Sequence, residues 1–179
     1  MEASVLAIRG IFSWPEAEKV NAQLFRATVH AFVAHILEKH KNPDDINEAL
    51  HKIGRNMGKM LFVTYLDQLS TIARDVKELS GMNNMGFKFF FGKTFDEIIL
   101  EESDTNITIK LRIEDCPICR DIVLPRRDVF FCEPMAGVFE WIGEQLADYM
   151  GVKSIRCRET RCRARGDKFC EFSFFIEKL

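Results

Sequence analysis

Six cysteines stand in this chain of 179 residues, and the spacing of several of them could do chemistry. Glu159 lies three positions before Cys162, and Cys170 follows beyond Gly166-Asp167, so a carboxylate and two thiolates can meet across one hairpin. Cys132, just ahead of Pro134 at the start of an amphipathic segment, is the upstream supplier of a fourth ligand. Zinc takes sulfur and carboxylate oxygen in a tetrahedron, and its structural sites use four protein groups. Cys132, Glu159, Cys162 and Cys170 therefore predict a closed structural zinc site with no open position for catalysis. Four ligands of this kind suit zinc better than iron. The bland alternative is that these are small buried hydrophobes. Cys116-Pro-Ile-Cys119 is a competing Cys-x2-Cys pair that could join Cys162 and Cys170 in an all-thiolate site. Cys157 alternates with Ile155 and Glu159 and reads as a packed strand residue.

The elements that must position these groups follow from periodicity. Ser13, Pro15 and Glu16 are helix-start signals, and Val20, Leu24, Val29, Phe32, Val33, Ile36 and Leu37 form an apolar stripe ending near His40. Asn42-Pro43-Asp44-Asp45 opens a second helix with a cap and two carboxylates at the positive end of the dipole. Ile46, Leu50, Ile53, Met57 and Leu61 face one way along it. Gly54-x3-Gly58 on that helix lets another backbone approach, either in a dimer or within the chain. A short third helix is expected from Thr71 to Leu79, stopped by Gly81.

From Phe87 the pattern reads as period two. Phe87, Phe89 and Phe91 alternate along one expected strand, and Ile107, Ile109, Leu111 and Ile113 along the next, after a turn rich in Glu, Asp and Ser. A helix from Pro134 to Met150 follows, then a hairpin over 152–159 and 169–176. The expectation is a single α+β domain spanning 1–179: a helical part at about 13–81, then a part at about 87–179. N-terminal helices pack on one face of a four-stranded antiparallel sheet, in the order helices-β-β-α-β-β.

Composition excludes several classes. The chain is 47% hydrophobic and 29% charged, as ordinary globular domains are. No basic region with a long apolar run opens it, and no stretch approaches a membrane span, so an intracellular, cytoplasmic protein with reduced thiols is expected. The net charge of -2 argues against nucleic acid as a partner. Seven basic residues between Lys153 and Lys168 read as the solvated side of strands. His30, His35, His40 and His51 match no catalytic motif and read as solvated helix positions, and no phosphate loop or nucleophile elbow occurs. No enzyme is indicated. Sixteen Phe against two Tyr supply apolar surface with few hydroxyl groups, so an apolar pocket is expected. Phe89, Phe91, Leu111 and Trp141 are its candidate lining.

The pattern Glu-x2-Cys-x3-Gly-x3-Cys-x-Phe (Glu159, Cys162, Gly166, Cys170, Phe172), after a Cys-x4-Gly helix start at Cys132 and a Gly-led strand from Gly151, resembles the 4-vinyl reductase domain. That superfamily takes in phenol-sensing regulator domains, archaeal hydrocarbon-binding-like proteins and TRAPP transport subunits. The resemblance implies a structural zinc held by a Cys, a Glu and two further Cys beside a cavity for an apolar or aromatic molecule. Three functions follow as expectations. The first is a homodimeric ligand sensor or carrier that signals through a separate protein. The second is a TRAPP-like assembly scaffold, and the third an accessory factor in tetrapyrrole reduction.

Overall fold

The computed structural model describes residues 17–63, 69–71 and 74–179. The start signals at Ser13, Pro15 and Glu16 lie outside them, as does the side chain of Val20. Helix α1 (Ala17–Lys39) buries Val29, Val33 and Ile36, while Leu24 points outward. Helix α2 (Pro43–Phe62) starts as its sequence dictates: the Asn42 side chain accepts the Asp44 N–H at 2.9 Å, and Pro43 occupies the first turn.

Helix α2 turns a different face inward than its large apolar residues suggest. Ile46, Leu50, His51, Gly54 and Gly58 are the buried set. The glycines meet helix α4 (Glu133–Met150) backbone to backbone. A β-carbon on Gly54 would sit 2.6 Å from the carbonyl carbon of Pro134, and one on Gly137 would sit 2.8 Å from the Arg55 nitrogen. The Gly54-x3-Gly58 stripe is therefore an internal helix-helix contact.

The Phe-rich segment is helical and not a strand. Helix α3 (Val76–Phe91) runs through Gly81 and Gly86 and ends at Gly92, whose φ of 68° is the left-handed conformation that a helix stop requires. Gly81 does not stop it. Asp75 accepts the Glu78 N–H at 2.8 Å and Glu78 accepts the Arg74 N–H at 2.6 Å, so a reciprocal cap opens the helix. Val76, Leu79, Met82, Phe87 and Phe91 are buried along it at helical spacing. Four Phe in five positions satisfy a period of two and a period of 3.6 alike, and the cap at Asp75 decides between them.

The first strand is instead β1 (Glu97–Glu102), within the stretch expected to be a turn. It pairs with β2 (Asn106–Ile113); β3 (Val152–Arg161) and β4 (Cys170–Lys178) complete an antiparallel sheet in the order β1-β2-β4-β3. Ile107, Ile109, Leu111 and Ile113 of β2 are buried, as are Phe172, Phe174 and Ile176 of β4. Phe139 of α4 stands edge-on to Phe172 at 5.5 Å, which fixes α4 on the inner face. The architecture is α+β, with helices covering a four-stranded antiparallel sheet as the alternation implied.

Candidate functional site

Two features stand out in the core, and α4 contributes to both. The first is an apolar cavity of about 500 Å³ between the helices. Phe25 of α1, Leu61 of α2, Phe87 and Phe89 of α3, and Met135 and Phe139 of α4 are among its walls. Its size lies within the range of small-molecule sites. Its described lining contains no thiol, histidine or carboxylate, and its polar side chains are Asn83 and Lys88. The Asn83 side chain is buried, and its Nδ2 donor has no hydrogen-bond partner. An unmet buried donor is costly, so this amide fits a ligand that brings an acceptor oxygen.

Of the four residues expected to line a pocket, Phe89 does so. Phe91 packs against Phe25 and Phe87 in the core, Leu111 is buried on β2, and Trp141 lies against Gly58 of α2. These three are core residues because the cavity lies among helices and no strand residue belongs to its described lining.

The second feature is a buried thiol cluster where four pieces of chain converge. Cys132 caps α4, Glu159 lies on β3, Cys162 precedes a 3-10 turn at Arg163–Arg165, and Cys170 begins β4. Their ligand atoms all lie within 4.8 Å of one another. The turn is shaped for this: Gly166 takes a φ of 102°, Asp167 accepts the Cys162 N–H at 2.8 Å, and the Arg163 N–H points at the Cys170 sulfur at 3.3 Å. Cys132 donates its N–H to Glu159 Oε2 at 2.7 Å, which leaves Glu159 Oε1 buried and without a partner.

The Cys116-x2-Cys119 pair joins the same cluster. Cys116, Cys119, Cys132 and Cys170 form a second set within 4.8 Å. Cys116 lies 3.8 Å from Cys132 and Cys119 lies 3.3 Å from Cys170, sulfur to sulfur. The linking segment before α4 is fastened at both ends of its path. Leu124 donates its N–H to the Ala164 carbonyl at 2.7 Å, and Phe130 donates its own to Asn47 Oδ1 at 2.9 Å. Cys157 is fully buried apart from these sets, as a packed residue would be.

Burial, then the thiolate charge of Cys162 and Cys119, pushes the Glu159 carboxyl up. Burial, then hydrogen bonding with Cys116, pushes the Cys132 thiol up. Protons therefore stay on these groups unless a cation replaces them, and metal binding to thiols is that exchange. The donor set and the unmet Oε1 fit a divalent thiophilic ion.

Beside the cluster, His51 is buried, not solvated. It bonds Glu133 Oε1 through Nδ1 at 2.8 Å and Glu140 Oε1 through Nε2 at 2.9 Å. Sequence periodicity missed this because its partners are 82 and 89 residues away. His30 and His35 are exposed as expected. The basic stretch is largely neutralised: Lys153 pairs with Glu177, Arg158 with Glu48 and Glu133, Arg163 with Asp115, and Arg165 with Asp167. Among the described residues, no helix is long and apolar enough to cross a membrane.

Comparison with known proteins agrees with this geometry. The chain is 29% identical over 171 residues to the transport protein particle subunit bet3 of Schizosaccharomyces pombe, covering 93% of this chain and 89% of that protein. It is 22% identical over 170 residues to the trafficking protein particle complex subunit 3 of Dictyostelium discoideum, covering 92% and 87%. Among solved structures, the subunit 3 of Naegleria fowleri covalently bound to palmitic acid superposes with a TM-score of 0.70 at 21% identity, over 90% of this chain and 98% of that one. The phenol-responsive sensory domain of the activator PoxR with phenol superposes at 0.52 and 15% identity, over 85% and 74%. These names describe complex subunits and a sensory domain, in line with the expectation that the chain is not an enzyme. Residues 109–175, which hold α4, β3 and every thiol of the cluster, match the model of the 4-vinyl reductase domain, and the chain belongs to that family, whose fold it shares with phenol-sensing domains and TRAPP subunits.

Proposed function

We propose that this chain is an assembly subunit of the trafficking-particle type, whose cavity holds a lipid acyl chain without a covalent bond. The carrying observation is the apolar cavity of about 500 Å³ with one unmet donor, Asn83 Nδ2. An acyl chain supplies apolar contact along the walls, and its carbonyl or carboxylate oxygen supplies the acceptor. Similarity to the bet3-type subunits along nearly the whole chain favours the scaffold over the sensor. The palmitic acid of the Naegleria relative is covalently bound. Here all six cysteines lie between positions 116 and 170, and none lines the cavity, so a thioester inside it is not available.

The second part of the proposal is a structural zinc held by Cys132, Glu159, Cys162 and Cys170. It would tie the β3-β4 hairpin to the start of α4, the same helix that walls the cavity. The support is the 4.8 Å grouping and the orphaned Glu159 Oε1.

The test is native mass spectrometry of the purified chain after addition of palmitate or of phenol, together with Gly86→Phe. Gly86 lines the cavity and has nothing within 4 Å of where its β-carbon would lie, so the added ring has room to occupy. The expected result is one palmitate per chain, removed by organic extraction without hydroxylamine, and no palmitate on Gly86→Phe. Retention of phenol and not palmitate would return the sensor reading. The same spectra count chains, and a monomer at micromolar concentration would remove the homodimer from the proposal.

A further inference from the structure

We propose that the thiol cluster is built for two thiophilic divalent ions, bridged by Cys132 and Cys170. This rests on the single-ion reading above and extends it. The six donors sort into two sets of four: Cys116, Cys119, Cys132 and Cys170 in one, and Cys132, Glu159, Cys162 and Cys170 in the other. Each set is compact enough for one tetrahedral ion, whose sulfur ligands stand about 3.8 Å apart at a zinc-sulfur distance of ~2.3 Å. The Cys116-Cys132 separation is 3.8 Å, and the Cys119-Cys170 separation is 3.3 Å.

The shared pair makes the coordination close. Two four-coordinate ions need eight positions, and six donors fill eight when two thiolates bridge. Cys132 and Cys170 are the two residues common to both sets. Glu159 is set to bind through one oxygen, because Oε2 already accepts the Cys132 N–H and Oε1 has no partner.

Charge favours the same count. Five thiolates and a carboxylate carry six negative charges where Cys116, Cys119, Cys132, Glu159, Cys162 and Cys170 are all buried. Uncompensated charge in such a place is expensive. One divalent ion leaves a deficit of four or two idle buried thiols, whereas two ions reduce the deficit to two, with the Arg163 N–H directed at Cys170 besides.

The measurement is metal stoichiometry by native mass spectrometry, on the full chain kept reduced, loaded with excess zinc and desalted. The expected mass corresponds to two zinc ions per chain. Cys116→Ser with Cys119→Ser is expected to leave one ion, and Glu159→Gln with Cys162→Ser likewise one. One ion on the unaltered chain overturns the bridged pair and leaves the single-ion site standing; no ion overturns both. Where a variant does not fold, cadmium-113 NMR of the unaltered chain decides. Two resonances split by mutual coupling are expected, and a single resonance, or two without coupling, overturns the bridge.

Discussion

The same substitution, Gly to Ala, should destabilise one helix of this protein and stabilise another. At Gly54 the added β-carbon would lie 2.6 Å from the carbonyl carbon and 2.7 Å from the Cα of Pro134, and nearer still to its carbonyl oxygen. Ordinary contact begins at 3.4 Å, so α2 and α4 must part by at least about 0.8 Å. The obstruction is backbone, which has no rotamer to escape into. Overpacking of a core costs about 1–3 kcal/mol, and backbone obstruction places this case at or above the upper end, against a helix-propensity gain of about 1 kcal/mol. The net expectation is a loss of about 2 kcal/mol or more, or a Tm lower by about 4–8 °C for a chain of this size. At Gly81 of α3, exposed and with nothing within 4 Å, only the propensity gain remains. Gly81→Ala should raise stability by about 0.5–1 kcal/mol. Urea denaturation of both variants in the same metal state measures the pair. A Gly54→Ala chain as stable as the unaltered one would refute the reasoning, because the α2-α4 contact could not then be as close as described.

Three further outcomes are expected. Chelation of the metal, or Cys162→Ser or Cys170→Ser, should lose zinc and lower Tm together; at a free zinc concentration of 1,000 times Kd the linkage is worth about 4 kcal/mol, or about 8–16 °C by thermal melting. Stability should also fall on either side of mildly acidic pH. Burial works against the Glu140 charge, but hydrogen bonds from His51 and the Cys157 N–H outweigh it and hold the carboxyl down at about 2, so its contribution is complete above 4.5 and lost as pH falls toward 2. Burial likewise disfavours charged His51, yet bonds to Glu133 and Glu140 raise its pKa, so its contribution is complete below 6.5 and lost as pH rises through the raised value. His51→Gln should flatten the alkaline limb in urea midpoints taken from pH 5 to 9, and an unchanged limb would remove His51 as its cause. Finally, Asn83→Leu removes the unmet donor, so the ligand-free chain should gain about 1 kcal/mol or more. The same change should weaken palmitate about tenfold in a titration, as the loss of one hydrogen bond of ~1.4 kcal/mol would; equal affinity would mean that Asn83 does not touch the ligand.

Local signals carried far in this sequence, and long-range ones did not. The Asn42 cap, the alternation of Ile107 to Ile113 and the hairpin that brings Glu159, Cys162 and Cys170 together each need only neighbours along the chain, and the structure contains all three. The segment Phe87–Phe91 satisfied two periods at once, and its Asp75-Glu78 cap, legible beforehand, would have resolved it. The strand β1 was hidden by its own edge position: with Ile98 and Leu100 exposed among glutamates, it shows no alternation to read. Gly54 and Gly58 announced a close approach, but only the fold says that Pro134 and Val138 are what approach. The cavity, walled by four helices, has no signature along the chain at all.

The carboxylates of α4 also govern how the sheet meets the outside world. Strand β3 is an edge, and an edge normally offers its free N–H groups to any passing strand. Here Glu140 Oε2 takes the Cys157 N–H at 2.8 Å and Glu133 Oε2 takes the Glu159 N–H at 2.9 Å. Those donors are spent on side chains of the chain's own helix, so this border is closed to recruitment by a neighbouring molecule. The opposite border, β1, stays open along its backbone and relies on Glu97, Glu101 and Glu102 for repulsion. Neutralising those three charges would therefore expose the sheet to fibrous stacking from one side, while the other side would remain guarded by the helix that bears the first bridging thiol.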